Sequence, residues 1–219
     1  YSCRNGRCSS CRCKVIRGES TALHEELGLT SEERSAGWIL SCVRRASSDL
    51  LIQTQEVSGL SLATPKVFPC RIQALELLAL DVMKVTLRLP PNSDFSFIPG
   101  QYIEIIGTDG VRRSYSLANA DLDTKVIELH IRAINSGVMS QYWFERAKPN
   151  DLLRLNGPLG TFILRNTQGL DLALLATGTG IAPIKAMLKG LAERCSAKRP
   201  QTITVYWGGR TAQDLYWNV

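Results

Sequence analysis

Cys3, Cys8 and Cys11 stand at C-x4-C-x2-C, and Cys42 follows after thirty further residues in "GWILSCVRR". No other feature constrains this chain so strongly. Three thiols this close demand a compact loop, and a fourth from a distant segment completes the set. The spacing suits four thiolates around two irons, the plant-type [2Fe–2S] arrangement. Gly6, Ser9 and Ser10 keep the loop small and supply amides and hydroxyls that can point at sulfur. A zinc site is the alternative, but zinc favours paired C-x2-C knuckles and only one such pair exists here. The predicted ligands are therefore Cys3, Cys8, Cys11 and Cys42. Cys13, two residues beyond Cys11 on an emerging strand, is predicted not to ligate, and Cys70 and Cys195 to pack as small apolar side chains.

Cysteine usage carries further information. The chain has 7 Cys in 219 residues, an odd number, with four inside the first thirteen positions. That distribution argues for metal ligation over a disulfide framework. The opening residues lack the apolar run of a signal peptide, so a reducing, cytoplasmic compartment is expected. No window approaches 18 uninterrupted apolar residues, which gives no reason to expect a membrane span. The net charge of +6 has no nucleic-acid motif beside it, so no nucleic-acid partner is expected.

Three segments separate along the chain. Residues 1–58 are Cys- and charge-rich. A linker, "SGLSLATPK", has the Gly, Ser, Thr and Pro of a connection between modules. Residues 66–165 then read as β: "MKVTLRL", "QYIEII" and "VIELHIR" are short Val-, Ile- and Leu-rich runs, punctuated by "PPNSD", "GTDG" and "NADLD". Such strands predict an antiparallel barrel or sandwich, interrupted by one helix near 138–147. From residue 170 to 219, "LDLALLA" reads as a fully buried strand, "TGTG" as a turn, "IAPIKAMLKGLAERC" as an amphipathic helix and "TITVYW" as a second strand. Together they form a βαβ unit with a parallel sheet. The fold class expected is multi-domain, α+β followed by α/β. The cysteine segment lacks a supporting strand before Cys3, and the βαβ unit stops after two strands, so both flanking domains are expected to be incomplete in this sequence.

Several strings carry candidate binding chemistry. Arg113, Tyr115 and Ser116 lie together in "RRSYSLAN". An Arg can pair with a pyrophosphate. A Tyr two residues on shares its strand face and can lie flat on a ring system, and the next Ser can hydrogen-bond a ring heteroatom. "GVMS" (Gly137, Val138, Met139, Ser140) opens the predicted helix, where amides can hold phosphate or simply form an ordinary cap. "GPLG" (157–160) reads as a turn. In "ATGTGIAP", Gly178 and Gly180 fall between a buried strand and a helix, where a dinucleotide pyrophosphate lies close to backbone; this is not the G-x-G-x-x-G fingerprint.

In this order, "RSYS", "GVMS", "GPLG" and "TGTGIAP" resemble the ferredoxin–NADP reductase family, and with the cysteine loop in front the chain resembles its ferredoxin-fused members. The resemblance implies a β-grasp [2Fe–2S] ferredoxin, an antiparallel FAD-binding β-barrel and a parallel α/β domain for NADH, with NADPH possible. It implies that Arg113, Tyr115 and Ser116 hold FAD. The backbone of His130, Ile131 and Arg132 and the 137–140 turn would line the FAD phosphates. Gly178, Thr179 and Gly180 would take the dinucleotide, with Gly208 to Arg210 approaching from the next strand. Electrons would pass from nicotinamide to flavin to cluster to a partner enzyme, and no general acid or base is implied. Among fused reductases, "YSCRNGRCSSC", "IELHIR" and "NGPLGTF" are most similar to the CDP-6-deoxy-Δ3,4-glucoseen reductases, which serve a dehydrase of 3,6-dideoxysugar synthesis; reductases of ring-hydroxylating oxygenases share the same modules. A carrier or sensor that binds cluster and flavin without turning over nicotinamide is the contrasting class, and "TGTGIAP" is the feature it would not need. Arg4, Arg7, Arg12, Lys14 and Arg17 all precede the first acid, Glu19, which predicts an acidic docking face on the partner.

Overall fold

The computed structural model describes residues 3–54, 62–107, 110–120, 125–193 and 199–218. The first four residues of the predicted linker, two residues of "GTDG", much of "NADLD" and Cys195 fall outside them. The chain divides into two compact units: residues up to Leu62 with Gly160–Phe162, and Ala63–Leu159 with Ile163–Val219.

The first unit is built from short elements. β1 (Arg12–Arg17) and β2 (Ser20–Ala22) precede the helix α1 (Ser31–Ser35), and β3 (Trp38–Leu40), β4 (Arg44–Ala46) and β5 (Leu51–Gln53) follow. β1 is central in a three-stranded sheet, antiparallel to β3 and β5, while β2 and β4 form a separate pair. α1 is too short to be stable alone and depends on its cap. Thr30 accepts the Glu33 N–H and Glu33 accepts the Thr30 N–H, a reciprocal capping box. The core is small: Leu29, Leu40 and Val43, with Cys11, Trp38 and Cys42 packed against it.

The second unit opens with β6 (Lys66–Ala79), β7 (Val82–Arg88), β8 (Tyr102–Ile106), β9 (Arg112–Ser116) and β10 (Val126–Arg132). The predicted helix near 138–147 is α2 (Val138–Gln141) continuing into a π-helical turn, Tyr142–Arg146. β11 (Leu152–Leu159) follows, and includes most of the "GPLG" string that reads as a turn. A register shift between Asn156 and Leu159 breaks the pairing with β8 there, which is the physical reason a turn-like sequence sits inside a strand. The six strands form one antiparallel sheet in the order β10-β7-β6-β11-β8-β9. One antiparallel bridge, Leu117 to Leu129, and the Ala118 N–H donated to Glu128 O join the chain after β9 to β10, at the opposite end of that order. Alternate residues fill the interior: Ile72, Val85, Leu87, Ile103, Ile105, Ile127, Leu129 and Leu155 are fully buried.

β12 (Asp171–Thr177), α3 (Ile181–Ala192) and β13 (Thr202–Gly208) make the expected βαβ unit, with β12 and β13 parallel and in register from Asp171 opposite Thr202. The expectation of a fully buried β12 is corrected. Leu174 packs on Ile181 and Ile184 of α3, but Leu175 is 72% exposed. One face of this two-stranded sheet is covered by the helix, and the side chains that alternate onto the other face are not.

Leu129 lies in the sheet interior and takes part in the bridge to Leu117. Leu129→Ala is expected to destabilise the second unit by about 2–5 kcal/mol, read as an earlier urea midpoint with unchanged slope; an unchanged midpoint would contradict this placement of the core.

Candidate functional site

The cysteine loop brings its four predicted thiols together. The Arg7 N–H lies 3.4 Å from Cys3 Sγ and the Cys3 N–H 3.4 Å from Cys8 Sγ. The free Cys42 thiol hydrogen-bonds with the Cys11 thiol and accepts the Gly6 N–H, and burial with its thiol neighbours pushes its pKa up. At Cys8 burial also pushes upward, but donors from Ser10 and the Cys3 amide outweigh it and bring the thiol down to about 6. Amides aimed at sulfur are the donor set a thiolate cluster requires. Gly6 is held at φ +75°, and a Cβ there would stand 2.4 Å from Glu25 O, so only glycine fits. Among the described residues no three His, Cys, Asp or Glu side chains are grouped to hold a single metal ion. Cys13 faces the interior of β1, where burial pushes its pKa up. Cys70 is buried in the large core and pushed up to about 12 by that burial.

Glu26, 4% exposed, holds the segment that carries Cys42. Its carboxylate accepts the Leu40 N–H at 2.7 Å and the Arg44 fork at 2.9 and 2.8 Å. Burial raises the Glu26 pKa, but Arg44 and the Leu40 amide reverse the shift and leave it lowered. The 3₁₀ turn Ser41–Val43 is thus clamped on both sides by one buried carboxylate. Arg12, one of the five predicted docking cations, pairs with Glu33 and stacks over Trp38 at 4.8 Å from the ring centroid. Its charge is therefore largely spent within the unit.

In the second unit Arg113 and Tyr115 share a face of β9, opposite Ile105 and Ile103 of β8. The half-buried Tyr115 ring is fixed by the Trp143 indole, which donates Nε1–H to its hydroxyl at 3.0 Å and meets it edge-on. Arg113 is exposed and donates to the Arg112 carbonyl at 2.8 Å. A rigid aromatic, an exposed cation and the adjoining Ser116 hydroxyl on one strand fit a flavin. In the 137–140 turn two polar groups bond within the turn itself. The Gly137 N–H donates to Ile134 O, and Ser140 Oγ accepts the Ile134 N–H at 2.9 Å, so these two groups cap their own turn. Val138 and Met139 open α2; Met139 and Ile131 are buried in the core, which leaves only the backbones of those two for a ligand, while the Val138 side chain is exposed.

Gly178 to Gly180 form a 3₁₀ turn that runs directly into α3. Gly178 has φ +51°, and a Cβ there would sit 3.1 Å from the Arg132 guanidinium. Its carbonyl accepts the Trp207 Nε1–H at 2.9 Å. Gly208 pairs with Thr177 at the end of the parallel ladder. The Arg210 and Thr211 N–H groups donate to Asp214 Oδ2 at 2.8 and 3.0 Å, and the Arg210 side chain reaches Asp81 at 3.3 Å.

The sequence reading missed Glu128, Lys185, Asp214 and Tyr216. His130 is buried and hydrogen-bonds Glu128 at 2.8 Å and the Tyr216 hydroxyl at 3.1 Å. Lys185, on α3, pairs with the same Glu128 carboxylate, and Arg132 donates to Asp214 at 2.7 Å. The signal was visible in "IELHIR", where charged or polar residues alternate with Ile and Leu, but no sequence rule supplies their partners.

Family models match three stretches: a 2Fe-2S iron-sulfur cluster binding domain over residues 1–47, an oxidoreductase FAD-binding domain over 69–163 and an oxidoreductase NAD-binding domain over 174–218. The chain is 38% identical over 216 residues to the CDP-6-deoxy-L-threo-D-glycero-4-hexulose-3-dehydrase reductase of Yersinia pestis, covering 99% of this chain and 64% of that protein. It is 35% identical to the reductase component 1 of terephthalate 1,2-dioxygenase from Comamonas, covering 99% and 63%. The crystal structure of an Amycolatopsis cytochrome P450 reductase superposes with a TM-score of 0.72 at 32% identity, covering 99% of this chain and 65% of that one. The chain thus spans somewhat under two thirds of the length of these relatives.

Glu128 makes a pH-dependent contribution with a definite sign. Burial pushes its pKa up, but His130 and Lys185 outweigh this and hold it at about 2. A folded value below the ordinary carboxylate value of about 4.3 stabilises above that pH and is lost as pH falls toward 2, an effect on the order of 3 kcal/mol. The stability gap between wild type and Glu128→Gln should be widest at pH 6–7 and narrow steadily below about pH 4. Thermal melts across that range check it, and a pH-independent gap would show that Glu128 is not ionised in this pairing.

Proposed function

We propose that this chain, which carries 2Fe-2S, FAD-binding and NAD-binding oxidoreductase domains in that order, belongs to an iron–sulfur flavoprotein reductase moving electrons from NADH through FAD and the cluster to a partner enzyme. We place the domains at 1–58, 66–165 and 170–219. The observation that carries the reading is the coexistence of the four-thiol loop and the glycine turn Gly178–Gly180 in one chain, since a carrier without nicotinamide turnover has no use for the second. Flavin and cluster together supply the conversion of a two-electron hydride donor into single electrons.

The protein's part is binding and orientation. Cys3, Cys8, Cys11 and Cys42 would hold the cluster, with the Gly6 and Arg7 amides tuning it. Tyr115 would lie against the flavin ring, with Ser116 beside it and Arg113 toward the pyrophosphate. Residues 178–180 and 208–210 would hold the dinucleotide, NADPH being an alternative donor. The six-stranded sheet is proposed to close as a barrel, supported by the Leu117–Leu129 bridge, and the cysteine unit to be a β-grasp ferredoxin. Thiols kept for metal support a reducing, cytoplasmic setting. The greater identity to the hexulose-3-dehydrase reductase favours a CDP-4-keto-6-deoxyglucose 3-dehydrase as acceptor over a ring-hydroxylating oxygenase. Exposed Arg4, Arg7 and Arg17 and half-buried Lys14 favour an acidic face on that acceptor.

In the full-length protein, NADH should bleach the flavin and then the cluster. Serine at Cys3, Cys8, Cys11 or Cys42 should abolish the red-brown cluster absorbance with FAD retained, and Cys13→Ser should not. Loss of colour in Cys13→Ser but not in Cys42→Ser would overturn the ligand set. Transfer to a purified oxygenase and not to the sugar-nucleotide dehydrase would reverse the choice of acceptor.

A further inference from the structure

Glu128, His130 and Arg132 occupy alternate positions of β10, so all three lie on one face of the strand. Each meets a different residue of the nicotinamide-binding segment: Lys185, the Tyr216 hydroxyl and Asp214. The rungs are two residues apart, about 6.6 Å, so the three span about 13 Å of strand. The residues that alternate with them, Ile127, Leu129 and Ile131, are buried on the opposite face in the sheet interior.

Two of these rungs lead to Gly178, one directly and one through two aromatic side chains. Arg132 places its guanidinium 3.1 Å from where a Gly178 Cβ would stand. His130 bonds Tyr216, Tyr216 meets Trp207 edge-on at 5.2 Å, and Trp207 donates to the Gly178 carbonyl. The first glycine of the turn is therefore gripped between contacts that both originate on β10. Asp81, in the turn between β6 and β7, braces the arrangement by facing both Arg132 and Arg210 at 3.3 Å.

Stability alone does not account for this chemistry. Replacing a buried ion pair by apolar residues of similar volume is often neutral or stabilising. What a polar ladder adds is register: apolar surfaces can slide, whereas a one-residue slip here would set Ile127 and Ile131 against Lys185 and Asp214. We propose that Glu128, His130 and Arg132 are positioning residues for hydride transfer, a ladder that fixes the nicotinamide-binding turn in register on the flavin-binding sheet, with Arg132 as the rung that sets Gly178. This rests on the reductase reading above. It places no residue in contact with the transferred hydride. A displacement of about 1 Å can cost on the order of a hundredfold in rate, so a device of this kind has a measurable effect.

The test uses the full-length holoenzyme with Arg132→Met, Arg132→Lys and Tyr216→Phe. Asp214 keeps its two backbone donors in all three, so folding is expected to survive. Rapid mixing with NADH should show flavin reduction slowed at least tenfold in Arg132→Met, partly recovered in Arg132→Lys, and slowed less in Tyr216→Phe. FAD content should stay at the wild-type level, as should the rate at which dithionite-reduced flavin passes electrons to the cluster. A second readout needs no nicotinamide: amide hydrogen exchange should accelerate at residues 177–181 in Arg132→Met and stay at the wild-type rate elsewhere in β12 and β13. Unchanged flavin reduction, loss of FAD in proportion to rate, or exchange accelerated throughout 171–208 would each overturn the ladder and leave the reductase reading standing. A wild-type flavin that NADH fails to reduce would overturn both.

Discussion

Strand β10 is buried on its two faces by opposite chemistries, and the second unit is organised around that fact. Ile127, Leu129 and Ile131 fill the interior of the six-stranded sheet. Glu128, His130 and Arg132 meet the βαβ segment. The two-residue period of a strand lets one seven-residue stretch serve as core wall and docking face together. Neither role can change without the other, because a shift that spared the core would misplace the charges.

The first unit solves a comparable problem with less material. Its apolar core is too small to define a loop precisely, so buried polar contacts do that work. Glu26 satisfies a backbone amide and an arginine fork together, fixing the turn that carries Cys42. The Thr30–Glu33 capping box and the Arg12 contact with Glu33 hold the short helix beside Trp38. The charge chemistry of the loop is thus partly structural, which narrows the set of cations available for docking a partner.

Much of this was legible in the sequence because it depends on local rules. Cysteine spacing located the thiol loop, and the glycine turn between strand and helix located the βαβ unit. The readings that failed depend on what lies across space. "LDLALLA" is apolar enough for a buried strand, yet its exposure is decided by how many faces its neighbours cover. "GPLG" has turn composition, but pairing of β11 with β6 and β8 draws most of it into a strand. Besides His130, the other partner of Glu128 is Lys185, 57 residues away on α3, a separation that no periodicity connects.

The hydrogen bond from Trp207 to Gly178 has a spectroscopic consequence. The indole N–H is tied to the carbonyl of the turn's first glycine, and the ring lies edge-on to Tyr216. Indole emission responds to hydrogen bonding at that nitrogen and to nearby aromatic groups. The turn therefore carries a built-in fluorophore. With Trp38, Trp143 and Trp217 replaced by phenylalanine, Trp207 would report movement of the turn without any added label.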